Sequence, residues 1–189
     1  GRVNLRVYQL RNILLSEMLP ILDNFGLVVI DQYMDPVSPR GDTDRAIDTF
    51  RLQGVRGFEE VGLLDHMAEF IDGIEAGFTL KTNDDPLNHL LLAAHIPWEA
   101  VDLIRSYLGY ARQLELRYTR LRTREILLSQ PELVAGLWRY FHTRFDPSLT
   151  GERERAIADS AEAFQDGLRK VSNHDTDVVF RTLYNLMES

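Results

Sequence analysis

The sequence predicts an α+β chain, with a mixed strand-and-helix unit over residues 1–80 and a mainly α-helical region over residues 81–189. Three patterns carry that reading. Residues Val3 to Leu10 alternate Val3, Leu5 and Val7 against Asn4 and Arg6, the period of a half-buried strand. Two further strand-like runs, LVVIDQYM and AIDTFRLQ, follow before residue 55. Beyond residue 83 the chain reads as helical throughout, with apolar stripes at steps of three and four.

After the first strand, Arg11 and Asn12 form a short turn and LLSEMLPILDNFG sets Leu15, Met18, Leu22 and Phe25 on one helical face. Ser16 is expected to cap that helix, Pro20 to sit in or just past its first turn, and Gly26 to close it. LVVIDQYM reads as a strand whose first residues are apolar enough to be buried on both faces. The loop DPVSPRGDTDR, with two prolines and a glycine, leads into the third strand, AIDTFRLQ. Gly54 and Gly57 read as a turn, and a second helix follows from Gly57 to Ala76, with Val61, Leu64, Met67, Phe70 or Ile71, and Ile74 in register. The order strand, helix, strand, strand, helix is that of a ferredoxin-like βαββαβ unit, and FTLKT at 78–82 is a candidate for its closing strand.

In the second region, Asp85 and Pro86 provide a cap and a first position for a short helix. LNHLLLAAHIPWEAVDLIRSYLGYARQLELRY, from Leu87 to Tyr118, is the stretch around which the helices are organised. Past Pro97 its stripe runs through Val101, Ile104, Leu108, Ala111, Leu114, Tyr118 and Leu121. Ser129 and Glu132 have capping-box spacing before Leu133, Leu137, Trp138 and Phe141. DPSLTG breaks the pattern. A further helix carries Ile157, Ala161, Phe164, Leu168 and Val171, and a last one runs to Ser189.

The composition, 44% hydrophobic and 26% charged over 189 residues, is that of a chain with a real core. A net charge of −8 argues against nucleic acid or an anionic membrane as the main partner, since both require a basic face. Without cysteine, disulfides and thiolate chemistry are excluded, which fits a reducing, cytoplasmic setting. His66, His89, His95, His142 and His174 form no metal-binding spacing, and Asn83-Asp84-Asp85 lacks the glycine and distal glutamate of a calcium loop. Glycine-rich phosphate turns and a nucleophile elbow are absent. No catalytic, cofactor-binding or metal-binding residue is therefore assigned. Arg105 and Arg112 lie seven apart on one helix, with Tyr110 and Gln113 close by. They are candidates for an interdomain or partner contact, although pairing with acids such as Asp102 is the preferred reading. Arg144 and Asp146 in RFDP read as a polar clamp at a helix end.

LLSEMLPILDNFGLVVIDQYMDP resembles the ACT-like segment of the large bacterial NAD-specific glutamate dehydrogenases, in which a strand leads into an L-S-x-x-L-P-x-L-E-N-x-G helix and a second strand. Asp23 stands at the glutamate of that pattern. DPLNHLLLAAHIPWEAVDLIRSYLGYARQ, PELVAGLWRYFHTRFDP and FRTLYNLMES follow in the family's order, so the resemblance covers essentially the whole chain. It implies an ACT/ferredoxin-like βαββα(β) unit followed by helices, and a fragment lying just ahead of a catalytic domain. The parent would be a homo-oligomer that oxidatively deaminates L-glutamate to 2-oxoglutarate with NAD. The fragment would be inactive and hold no cofactor, with the catalytic domain of the same chain as its partner. ACT units bind small amino acids near the turn after the first strand, which makes Arg11, Asn12, Ser16 and Gly26 candidate effector contacts. The alternative is a free-standing amino-acid-sensing or scaffold protein without enzymatic activity.

Overall fold

A computed structural model describes residues 3–9, 13–37, 45–55, 66–114, 116–149 and 151–189, without the side chains of residues 54 and 55. The chain divides into two compact units, Gly1–Leu92 and Ala93–Ser189.

The first unit is built on a three-stranded antiparallel sheet of order β1-β3-β2, with β1 at Val3–Gln9, β2 at Leu27–Val37 and β3 at Arg45–Val55. Two helices, α1 (Leu15–Asn24) and α2 (Met67–Phe78), supply its apolar cover. The central strand β3 sends Ala46, Asp48, Phe50 and Leu52 inward, all buried, while Arg45, Ile47, Thr49 and Arg51 alternate outward. Register extends that alternation to β1, where Leu5 lies opposite Phe50 and Val7 opposite Asp48. Met18 and Leu22 of α1, Phe25 just beyond it, and Phe70 and Ile74 of α2 complete the core. Phe70, not Ile71, is the inward member of that pair, since Ile71 is 51% exposed.

Several details differ from the sequence reading. Helix α1 starts two residues earlier than a Ser16 cap would require. Its N-cap is Leu14, whose backbone N–H is held by the Glu17 carboxylate at 3.2 Å, and Ser16 lies exposed within the first turn. Pro20 sits inside the helix, where its ring removes the bond that the Ser16 carbonyl would otherwise accept. Strand β2 is an edge strand, so Ile30 stays half exposed where burial on both faces was expected. Gly54 pairs with Val28 within the sheet and is not a turn residue; Gly57, Val61 and Leu64 lie outside the described residues. FTLKT is not a strand. Phe78 ends α2, Leu80 adopts a left-handed φ of 58°, and the Lys81 N–H returns to the Ala76 carbonyl at 2.9 Å.

Past that turn, the Asp85 carboxylate caps a 3₁₀ turn, Pro86–His89, by accepting the Leu87 N–H at 2.8 Å, and α3 (Leu90–Ala93) continues it. The helical unit contains α4 (Trp98–Gln113), α5 (Arg120–Leu128), α6 (Pro131–Phe145), α7 (Arg153–Arg169) and α8 (His174–Glu188). The stripe Val101, Ile104, Leu108 and Ala111 is buried as read, but α4 stops at Gln113, and Leu114 and Leu121 are more than half exposed. Ser129 does not open a helix. Its hydroxyl donates to the Ile126 carbonyl at the end of α5, and Pro131 takes the first position of α6. In the core of this unit Tyr184 packs on Phe164 and Tyr140, with ring centroids 5.1 and 4.8 Å away. Burial pushes its hydroxyl up to about 12.

Gly26, at a φ of 81° where α1 hands over to β2, is constrained both in its backbone and in the space around it. A β-carbon there would stand 2.5 Å from the His89 ring. Gly26→Ala is expected to cost about 1–3 kcal/mol, from the left-handed backbone and the displaced imidazole together. The melting temperature checks this, and the loss should be smaller in a His89→Ala background, where only the backbone term remains.

Candidate functional site

A buried polar cluster joins the end of β1 to Ile13, just ahead of α1. The Asp48 carboxylate, 2% exposed, accepts the side-chain amides of Gln9 from β1 and Gln32 from β2. Gln9 in turn accepts the Ile13 N–H at 2.6 Å, and its amide also lies 3.3 Å from the Met18 sulfur. One buried carboxylate thus ties all three strands and the entry to α1 through neutral donors, as a buried charge requires. Sequence reasoning did not single out Asp48, although the signal was there: it falls on the inward phase of Ala46, Phe50 and Leu52.

Gln9 and Ile13 also close one end of a groove of about 940 Å³ along β1 and α2. Its walls are Leu5 and Val7 from the strand and Met67, Ile71, Ile74 and Phe78 from the helix. Glu75 and Arg6 are the charged residues on its lining.

Of the effector candidates, Arg11 and Asn12 lie outside the described residues. Ser16 and Gly26 stand at opposite ends of α1, a ten-residue helix about 15 Å long, so no single small ligand touches both. The α4 candidates are dispersed as well. Arg105 is paired with Asp102, as the preferred reading had it. Tyr110 and Gln113 are exposed. Arg112 is half-buried, its Nε has no hydrogen-bond partner, and burial, assisted by Arg120, lowers its pKa.

In the helical unit the polar side chains join helix ends. Asp175, in the first turn of α8, accepts the Arg122 guanidinium at 2.8 and 3.1 Å and the Tyr118 hydroxyl at 3.1 Å. These bonds hold its carboxyl below the usual carboxylate range. Arg144 donates to the Tyr140 hydroxyl at 2.8 Å and to the Glu188 carbonyl at 2.6 Å, while Asp146 accepts the Ser148 N–H at 2.8 Å. RFDP is the expected clamp. A smaller hollow of about 360 Å³ is lined by His95, Glu132, Trp138, Arg139, His142 and Thr143. Among the described residues no group of three or more histidine, aspartate or glutamate side chains could hold a metal ion, and no helix is long and apolar enough to cross a membrane.

A three-stranded ACT-like sheet followed by a helical unit is the arrangement that the comparisons with known proteins match. The glutamate dehydrogenase ACT3 domain matches residues 1–65, and glutamate dehydrogenase helical motif 3 matches residues 82–147. The chain carries regions of the large NAD-specific glutamate dehydrogenases, the ACT3 domain and helical motif 3. The NAD-specific glutamate dehydrogenase of Halomonas elongata is 29% identical over 71% of this chain. Those of Pseudomonas aeruginosa and Mycobacterium tuberculosis are 27% and 25% identical over 69% and 93% of it. The matched part is only 8–11% of each relative's length.

The Arg122–Asp175 pair gives a pH-dependent contribution to the stability of this glutamate dehydrogenase region. Because the folded carboxyl lies below its ordinary value of 3.8, the contribution is full above that value and is lost as pH falls through the folded-state value. Asp175→Asn should therefore lower the melting temperature at pH 7, and the gap to the parent chain should close on acidification. A gap of constant size from neutral to acid pH would assign the effect to packing.

Proposed function

We propose that this chain is a non-catalytic regulatory or assembly region of a large NAD-dependent glutamate dehydrogenase. The parent would oxidise L-glutamate to 2-oxoglutarate with NAD in the cytoplasm as a homo-oligomer. The observation that carries the proposal is the succession of ACT3 and helical-motif matches along one chain. The side-chain chemistry supports it: the buried carboxylate, the arginines of the helix ends and the clamp at Arg144 are all engaged in holding elements together. NAD would belong to the catalytic domain of the parent, which is the partner of this region.

A small amino acid is the candidate effector of this reading, with Arg11, Asn12 and Ser16, which follow β1 in the sequence, as its candidate contacts. A thermal-shift titration of the chain with single amino acids, and with NADH in parallel, tests it. A ligand of the native state at a hundred times its Kd adds about 2.7 kcal/mol, a rise of about 5–10 °C for a chain of this size. Stabilisation by one amino acid and none by NADH is the expected result. A rise with NADH would place a cofactor site inside this region and overturn the assignment.

A further inference from the structure

The two edges of the sheet are treated differently. Strand β2 carries register shifts around Val29, a proline at position 36, and the charges of Asp31 and Asp35, all features that keep a strand edge from pairing. Strand β1 has neither a register shift nor a proline, and Arg6 is its single, exposed charge. It pairs with β3 in unbroken register from Val3 to Gln9, without a bulge, a proline or an inward charge. About half of its backbone N–H and C=O groups therefore point away from β3 in a straight ladder. In the βαββαβ topology the fourth strand lies beside β1, but among the described residues no strand follows α2, although nearly all of residues 79–189 are described. The groove of about 940 Å³ runs along the same edge, and its inner walls remain incompletely covered: Leu5 and Val7 are half-buried and Ile71 is 51% exposed.

We infer that β1 accepts an added strand, an extended segment of about five to seven residues supplied by another part of the same, longer polypeptide. The chemistry of the edge specifies the segment. Its backbone must be extended, to complete the ladder at a rise of about 3.4 Å per residue. Every second side chain must be apolar, to fill the space between Leu5 and Val7 and the Ile71, Ile74 and Phe78 face of α2. At the alternate positions an acidic residue fits opposite the exposed Arg6, which is also on the groove's lining. The curated relatives extend roughly tenfold beyond the matched length, which provides the source. In that respect the inference rests on the reading of the chain as part of a large parent.

Hydrogen–deuterium exchange on the 189-residue chain and on the full-length polypeptide tests it. Peptides covering Val3–Gln9 should exchange at least about tenfold more slowly in the full-length protein, with β3 equally protected in both. Ile71→Glu, an exposed substitution on the groove wall, should remove the added protection of β1 in the full-length protein and leave β3 unchanged. Equal β1 exchange in the two proteins overturns the inference, as does added protection that survives Ile71→Glu. Protection of β1 in the short chain that rises with concentration, together with a dimer mass, also overturns it and assigns the edge to a second copy. A full-length protein that does not oxidise glutamate overturns the parent assignment and leaves the β1 result standing.

Discussion

The inward row of β3 is the constraint on which the sheet unit depends. Ala46, Asp48, Phe50 and Leu52 face the helices, and both neighbouring strands take their register from β3. A slip of one residue would turn Phe50 to solvent and carry Arg51 into the core, so the apolar pattern alone fixes the pairing strongly. Asp48 fixes it further. Its carboxylate needs one amide from each neighbour, and only the observed register brings Gln9 and Gln32 to it together. An apolar residue at this position would leave the sheet free of a buried charge but would also release the Ile13 turn, which Gln9 holds through its carbonyl oxygen.

Much of this was legible in the sequence, because period and spacing report burial. The alternation around Leu5 and Phe50 and the stripe through Ile104 and Leu108 both survive in the structure. What was not legible depends on what the chain meets in space. Ser16 and Ser129 carry good capping chemistry, yet Leu14 and Gln130 occupy the caps, because Glu17 and Pro131 already satisfy or excuse the first-turn N–H groups. The apolar start of β2 suggested a central strand, and only the sheet order puts Ile30 at an edge. Leu114, Tyr118 and Leu121 continue the helical spacing beyond Gln113, but spacing cannot register where a helix ends. Of the candidate site residues, the pairing of Arg105 with Asp102 was readable because it is local, three residues apart on one helix. The bond from Arg122 to Asp175 spans 53 residues and has no local signature.

The absence of a catalytic motif in the sequence has a counterpart in how the helical unit uses its charged groups. Arg105, Arg122 and Arg144 each meet a carboxylate, a carbonyl or a hydroxyl within the unit, and Asp175 and Asp146 serve as acceptors at helix ends. Such pairs contribute modestly to stability when exposed, but they fix the directions of the helices they join. Arg112 stands apart, with a buried Nε that lacks a hydrogen-bond partner and a pKa lowered by burial and by the charge of Arg120. The sheet unit differs in one respect: the backbone groups of β1 that point away from β3 have no strand beside them among the described residues, and backbone groups cannot be retired by a substitution as side chains can. An edge left in straight register beside an apolar groove, on a sheet whose other edge is bulged and charged, is therefore the feature of this chain whose completion must come from outside the described fold.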